Sequence, residues 1–257
     1  MLVLAHRGCP TPQRPENTVA AVQAALDGAA DGVEIDVRRT LDGVLVCSHD
    51  ADLLRLTGRP MAVATTRAEE IRAVPLAGGH RLATLDEVLA KARGRLVIEA
   101  KPVTGPNDAL RTAMALCLAL ETAPPGPAIT VSSFDADLLA TIRFALRHAA
   151  RPHMRTYVRT ALLGAPGTST RTLLRRTLDG RHDEMHPHVS DLLRAPHLVA
   201  VAHTVGASVT CWTVNRRKDV RRLARLGVDA VISDRPATAR TAAATAMIGA
   251  RAQGSNL

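Results

Sequence analysis

Two histidines stand where apolar runs stop. The first closes "MLVLAHRG", in which Leu2, Val3, Leu4 and Ala5 lead directly into His6, Arg7 and Gly8; the second closes "LDGVLVCSHD", as His49 beside Asp50. Between them "GVEIDVRRT" sets Glu34 and Asp36 two residues apart, and "RLVIEAKP" sets Glu99 and Lys101 at the same spacing. In an extended chain residues i and i+2 share a face, so each pair points one way. Carboxylates turned into an interior repel each other and carry a large desolvation cost unless positive charge neutralises them. Two arrangements meet that need: a buried ionic network with Arg7 or Lys101, or a hard divalent cation, and clustered oxygens favour the cation. With Glu99 as a third ligand the ion keeps positions for water and substrate. Mg²⁺ or Ca²⁺ then fits better than zinc, because the proposed shell holds neither histidine nor cysteine.

Lys101, on the same face, is placed to meet a phosphate oxygen. Beside a metal-held phosphodiester two imidazoles can divide the proton transfers, one taking a proton from the nucleophile and one giving a proton to the departing oxygen. Free imidazole titrates near pH ~6.5, which suits both tasks. The other eight histidines, including His80, His148, His182, His186 and His188, read as surface or loop residues, with His186 able to approach the same mouth.

These residues need a scaffold that gathers strand ends, and the rest of the chain alternates strand and helix. Strand patterns fall at 2–7, 32–38, 95–101, 128–133, 154–159, 184–189, 208–214 and 228–233. Helical patterns fall at 17–28, 85–93, 108–122, 135–148, 168–179, 195–206, 216–226 and 236–249. Eight β-α pairs predict an α/β fold, a (β/α)₈ TIM barrel, as one domain over 1–250. Residues 50–82 fit no such unit and read as a small insertion after strand two; 251–257 reads as a flexible tail. Asn17 is expected to cap the first helix, with Gly28 at its end. Thr84 and Glu87 form a capping box for the second, stopped by Gly94.

Composition narrows the class. The 257 residues are 46% hydrophobic but only 2% aromatic, so Ala, Val and Leu must fill the core, which suits a closely packed α/β protein. The formal charge is +9. Its arginines, such as Arg143, Arg147, Arg171, Arg175, Arg176, Arg221, Arg222 and Arg225, recur at helical spacing without a basic run, which argues for solvated helix faces over a nucleic-acid surface. The surplus would instead concentrate anionic small substrates. Cys9, Cys47, Cys117 and Cys211 form no C-x-x-C pair, so they read as reduced apolar fillers of a cytoplasmic protein. No stretch is long and apolar enough for stable membrane insertion, no leader is expected before the first strand, and no pattern assigns an oligomeric state.

The ordered set "AHRG", "PENT", "GVEIDVRRTLDGVLVCSHD", "TLDEVL", "IEAK", "SSFD", "CWTVN" and "GVDAVISDRP" resembles the glycerophosphodiester phosphodiesterase family from residue 4 to about residue 236. The resemblance implies a TIM barrel of lipid and glycerol metabolism that uses a divalent metal to hydrolyse glycerophosphodiesters to sn-glycerol 3-phosphate and an alcohol. It implies His6 and His49 as the acid/base pair, Glu34, Asp36 and Glu99 as metal ligands, and Arg7 and Lys101 as phosphate contacts. Trp212 matches a tryptophan flanking the glycerol end; Glu16 matches the same "PENT" motif as Asn17 without an assigned role. Ala100 replaces the usual isoleucine of that strand and should face outward. Residues 151–190 match poorly, and since strands five and six are expected to line the leaving-group side, substrate choice is least defined there. Related barrels with the same histidine pair cleave lysophospholipids or sphingomyelin, and a non-catalytic phosphate-binding barrel is the other alternative.

Overall fold

The alternation of short apolar runs with Ala/Leu/Arg helices closes on itself. A computed structural model of the chain describes residues 1–124, 126–149 and 158–254. Its strands are β1 (Leu2–His6), β2 (Gly32–Arg39), β3 (Leu45–Val46), β4 (Arg95–Ala100), β5 (Ala128–Ser133), β6 (Val158–Leu163), β7 (Glu184–His186), β8 (Ser208–Cys211) and β9 (Ala230–Ser233). All but β3 pair in parallel, in the order β1-β9-β8-β7-β6-β5-β4-β2, and β1 pairs with β2 to complete an eight-stranded barrel. β3 runs antiparallel to the end of β2, with Arg38 opposite Val46.

The helices are α1 (Val19–Asp27), α2 (Leu54–Thr57), α3 (Ala68–Ala73), α4 (Leu85–Leu89), α5 (Pro106–Thr122), α6 (Ala136–His148), α7 (Thr170–Asp179), α8 (Val189–Arg194), α9 (Leu198–Thr204), α10 (Arg217–Arg225) and α11 (Pro236–Gly254). Most occupy the stretches between successive barrel strands. The insertion folds into α2, α3 and single turns of 3₁₀ helix around a small core of Val46, Leu53, Val63, Ile71 and Leu82.

Strand alternation divides the side chains between two cores. Val33, Ile35, Val37 and Ala100 join the aliphatic layer between barrel and helices, so Ala100 does face outward from the barrel. Leu4, Val97, Ala230 and Ile232 form a smaller cluster against which Trp212 packs.

Several boundaries differ from expectation, with local causes. The fifth barrel strand lies at 158–163, later than the expected 154–159; residues 150–157 lie outside the described ones. β7 stops at His186 because Pro187 has no N–H for the ladder. β8 stops at Cys211, and pairing beyond it survives only as a bridge between His188 and Trp212. The helix expected over 195–206 is α9, which starts at Leu198 just beyond Pro196, and α8 before it is a further short helix that was not expected. The capping box holds, Thr84 accepting from Glu87 N–H and Glu87 from Thr84 N–H, but its helix ends at Leu89. α11 runs on to Gly254, and residues 255–257 of the expected tail lie outside the described ones.

Two histidines read as surface or loop residues are buried instead. His186 is fully enclosed and His182 nearly so. His186 shares its strand face with Glu184, and its Nε2 lies 3.2 Å from the Glu184 carboxylate. Glu184 is also bonded by Arg95 and by Thr130 (2.9 Å), with Arg159 Nε at 3.3 Å. This ionic plug links β4, β5, β6 and β7.

Candidate active site

Each barrel strand ends at one rim, and the residues singled out by type and spacing sit there. His6 is the last residue of β1 and lies in register with Glu34 of β2. Beyond it Arg7 takes φ +55° and Gly8 φ +85°. A Cβ on Gly8 would stand 2.6 Å from the carbonyl carbon of Ala21, so only glycine lets α1 approach so closely. That tight turn aims Arg7 back over the barrel.

Glu34, Asp36 and Glu99 converge: one carboxylate oxygen from each lies within 4.8 Å of the others. Their strands adjoin, with Asp36 in register with Glu99. Lys101 Nζ lies 2.7 Å from Asp36 Oδ1, without the directionality of a hydrogen bond, and donates to Glu99 Oε1 at 2.5 Å. Arg7 Nε lies 3.1 Å from Asp36 Oδ2, and Arg7 N–H donates to Glu34 Oε2 at 3.1 Å. The ionic network weighed from sequence is therefore present.

It does not balance the charge. Burial, together with the neighbouring Asp36 charge, pushes the Glu34 carboxyl up to about 8. Burial also raises Glu99, despite Lys101 beside it. Burial works the same way on Asp36, but Lys101, Arg7 and the Asn17 amide outweigh it and hold that carboxyl below its ordinary range. A buried, all-oxygen donor set short of positive charge fits a hard divalent cation.

Asn17 does not cap α1. Thr18 does, its hydroxyl accepting from Ala21 N–H at 3.2 Å. Asn17 instead takes φ +58°, a left-handed conformation that asparagine tolerates, and its buried amide grips Asp36.

The two imidazoles are each held by a carboxylate through Nδ1. His6 Nδ1 lies 2.6 Å from Asp234, leaving Nε2 3.9 Å from Glu34. Asp234 is anchored by Asn215, whose Nδ2 donates to it at 2.6 Å. Burial disfavours the charged ring of His6, yet Asp234 and Glu34 outweigh it and raise its pKa.

His49 Nδ1 lies 2.8 Å from Asp50, and Asp50 accepts from Arg55 Nε at 2.6 Å. Arg55 NH2 in turn donates to Glu16 at 2.6 Å, and Arg7 NH1 to the same oxygen at 3.0 Å. One ionic chain thus runs from His49 to the acid cluster. Burial, and the nearby Lys101 charge, leave His49 below its ordinary pKa although Asp50 opposes them.

Trp212 stands half-buried across the mouth, its Nε1 donating to the His186 carbonyl at 2.9 Å. Phe134 and His188 pack on it edge-on, at centroid distances of 5.4 and 5.2 Å. Trp212 lines a cavity of about 20 Å³ with His6, Glu34 and Glu99.

The supporting residues were less visible in sequence. Asp50 had a signal, since it follows His49 directly. Asp234 and Asn215 lay inside recognised motifs but meet His6 only through closure of the barrel, and Arg55 belongs to the insertion. Arg38 was overlooked, although it continues the face of Glu34 and Asp36; its Nε donates to the His49 carbonyl at 3.1 Å.

The model of the glycerophosphoryl diester phosphodiesterase family matches residues 6–238. A glycerophosphodiester phosphodiesterase of Caldanaerobacter subterraneus is 28% identical over 249 residues, covering 92% of this chain and 95% of the relative. The crystal structure of a Thermotoga maritima glycerophosphodiester phosphodiesterase superposes with a TM-score of 0.71 at 26% identity, covering 92% of this chain and 95% of that one. An Oleispira antarctica phosphodiesterase, solved with its product sn-glycerol-3-phosphate, gives a TM-score of 0.80 at 25% identity, covering 94% and 96%.

Proposed function

The chain belongs to the glycerophosphoryl diester phosphodiesterase family, and from that premise we propose that it cleaves glycerophosphodiesters to sn-glycerol 3-phosphate and an alcohol by two-histidine catalysis at a divalent metal. The observation that carries the reading is the meeting of Glu34, Asp36 and Glu99 within 4.8 Å at a rim that also presents His6. The product held by the Oleispira antarctica relative supports the glycerol 3-phosphate end.

Glu34, Asp36 and Glu99 are the residues that would hold the ion, Mg²⁺ or Ca²⁺ by their oxygen donors. When bound, such an ion supplies charge neutralisation to the phosphoryl group. Arg7 and Lys101 add fixed positive charge beside the same position, where negative charge grows in the transition state. Lys101 has three donors, so one remains to reach a phosphoryl oxygen while the carboxylates are paired.

Asp234 and Asp50 each accept from an imidazole at Nδ1, which fixes the tautomer and leaves Nε2 for proton transfer. One ring removes the proton of the nucleophile, water or the neighbouring glycerol hydroxyl, and the other protonates the departing alkoxide; attack by the hydroxyl leaves a cyclic glycerol phosphate, which water then opens to glycerol 3-phosphate. Trp212 offers a ring face to the glycerol. The four thiols carry no disulfide among the described residues, which supports a reducing cytoplasm as its compartment. No helix among the described residues is long and apolar enough to cross a membrane.

The test is turnover of glycerophosphocholine, read as released glycerol 3-phosphate, beside lysophospholipid and sphingomyelin. Hydrolysis of the glycerophosphodiester alone is expected. Cleavage confined to the lipids would reassign the substrate, and binding without turnover would make the barrel a phosphate-ligand receptor.

A further inference from the structure

A cavity of about 210 Å³ opens between the ends of β2 and β4 and the insertion, with Arg38, Arg39, Lys101, Thr104, Asp108 and Thr112 in its wall. It adjoins the acid cluster through Lys101, whose ammonium touches Asp36 and Glu99. It adjoins His49 through Arg38, which donates to the His49 carbonyl.

Hydrogen-bonding capacity there exceeds what the protein satisfies. Arg39 is matched by Asp108, and Lys101 by two carboxylates. Arg38, half-buried, feels the charges of Asp36, Glu99 and Asp50 but forms no direct ion pair with a carboxylate among the described residues. Arg39 Nε and Thr112 Oγ1 are enclosed without a hydrogen-bond partner, and Thr112 is only 2% exposed. Those two atoms present no surface to the cavity, so the donor its wall leaves open to a ligand is the Arg38 guanidinium, which is complementary to an acceptor-rich, anionic group.

Position supplies the rest. Trp212 stands on β8's side of the mouth and the cavity lies beside β2 and β4. A diester centred on Glu34, Asp36 and Glu99 with its glycerol against Trp212 extends its other ester arm toward Lys101, His49 and Arg38. A space of that size admits a group of several non-hydrogen atoms.

We propose that this cavity receives the alcohol arm of the substrate and that Arg38 selects alcohols bearing a second anionic group. The proposal rests on the hydrolytic reading above, and it moves the alcohol side from the expected strands five and six to the insertion side of the mouth. The bond broken is still the phosphorus–oxygen bond to that alcohol, whose oxygen gains a proton as it leaves.

Three diesters test it, differing in the charge of the leaving alcohol: 1,3-bis(glycerophospho)glycerol (anionic), glycerophosphoglycerol (neutral) and glycerophosphocholine (cationic). Initial-rate kcat/KM is expected to favour the anionic compound over the cationic one by at least about tenfold, the scale of a charge-assisted hydrogen bond. Arg38→Gln should lower that ratio by about 10–100-fold, and Arg38→Lys should restore part of it. Disturbance of His49 through its carbonyl would slow all three diesters alike and cancel in the ratio. An unchanged ratio, or preference for glycerophosphocholine in the wild type, overturns the proposal. Dissociation constants for the same compounds with His6→Ala keep the two readings separate. If no diester is turned over, the hydrolytic reading alone fails, and Arg38-dependent preference in binding upholds or overturns the cavity assignment.

Discussion

The side-chain amide of Asn17 holds Asp36 at both ends, Nδ2 donating to Oδ2 at 2.9 Å and Oδ1 accepting from the Asp36 N–H at 3.2 Å. Two segments far apart in the chain are thereby locked, and the carboxylate keeps one orientation toward Glu99. Asn17→Ala leaves the buried Asp36 N–H unpaired and puts an ordinary side chain at φ +58°. We expect a loss of about 1–3 kcal/mol in urea unfolding. Affinity for Mg²⁺ or Ca²⁺, titrated calorimetrically, should fall about 10–100-fold, as when outer partners of metal ligands are removed. Wild-type affinity in a folded Asn17→Ala protein would show that the amide does not orient the ligand.

Removing the metal should stop the reaction. Chelator in excess is expected to abolish release of glycerol 3-phosphate, and Mg²⁺ or Ca²⁺ to restore it. Glu34→Gln, Asp36→Asn and Glu99→Gln should each weaken that restoration while circular dichroism stays native. Full activity in excess chelator would sink the metal assignment and leave the ionic network as the whole account of the cluster.

His6→Ala and His49→Ala should each lower turnover on the order of 10²–10⁴-fold with the barrel still folded. Their carboxylate partners act through them, so Asp234→Asn and Asp50→Asn should also reduce kcat, with KM for the diester little changed. A change confined to KM would mean that these aspartates serve binding and not the rings.

How much of this could be read beforehand depends on the range of the interaction. Glu34, Asp36, Glu99 and Lys101 were legible because strand alternation is a two-residue rule and buried carboxylates have few explanations. The barrel was legible from eight repeated β-α units, even where Pro187 and Pro196 cut elements short. His186 was misjudged because its partner network joins four strands, and no local pattern says that a histidine between Met185 and Pro187 faces inward. Asn17 was misassigned because a cap and a carboxylate clamp draw on the same side-chain chemistry; only its positive φ and the position of Asp36 separate them. Arg38 went unread although its alternation with Asp36 was available, because a basic residue beyond a strand end is usually solvated.

The plug beneath the site predicts how the fold responds to acid. Burial alone would raise the Glu184 carboxyl, but the hydrogen bond to His186 and the charges of His186, Arg95 and Arg159 prevail and hold it at about 2. Its folded value lies below the unfolded one near ~4.3, so the unfolded chain binds the proton more readily. The stabilisation is complete above the unfolded value and is lost as pH falls from there toward 2. His182 acts in the same direction at higher pH. Burial and the Arg143 charge pull it down to about 4, so the unfolded chain takes up its proton first as pH drops from about 6.5. Burial-raised groups such as Glu34 titrate in the opposite sense, so the two effects are read as differences in melting temperature between wild type and variant. The advantage of the wild type over His182→Gln should shrink between about pH 6.5 and 4, and its advantage over Glu184→Gln between about pH 4.3 and 2. A wild-type advantage over His182→Gln that holds level from pH 7 to 4 would contradict the placement of His182 as a buried neutral ring.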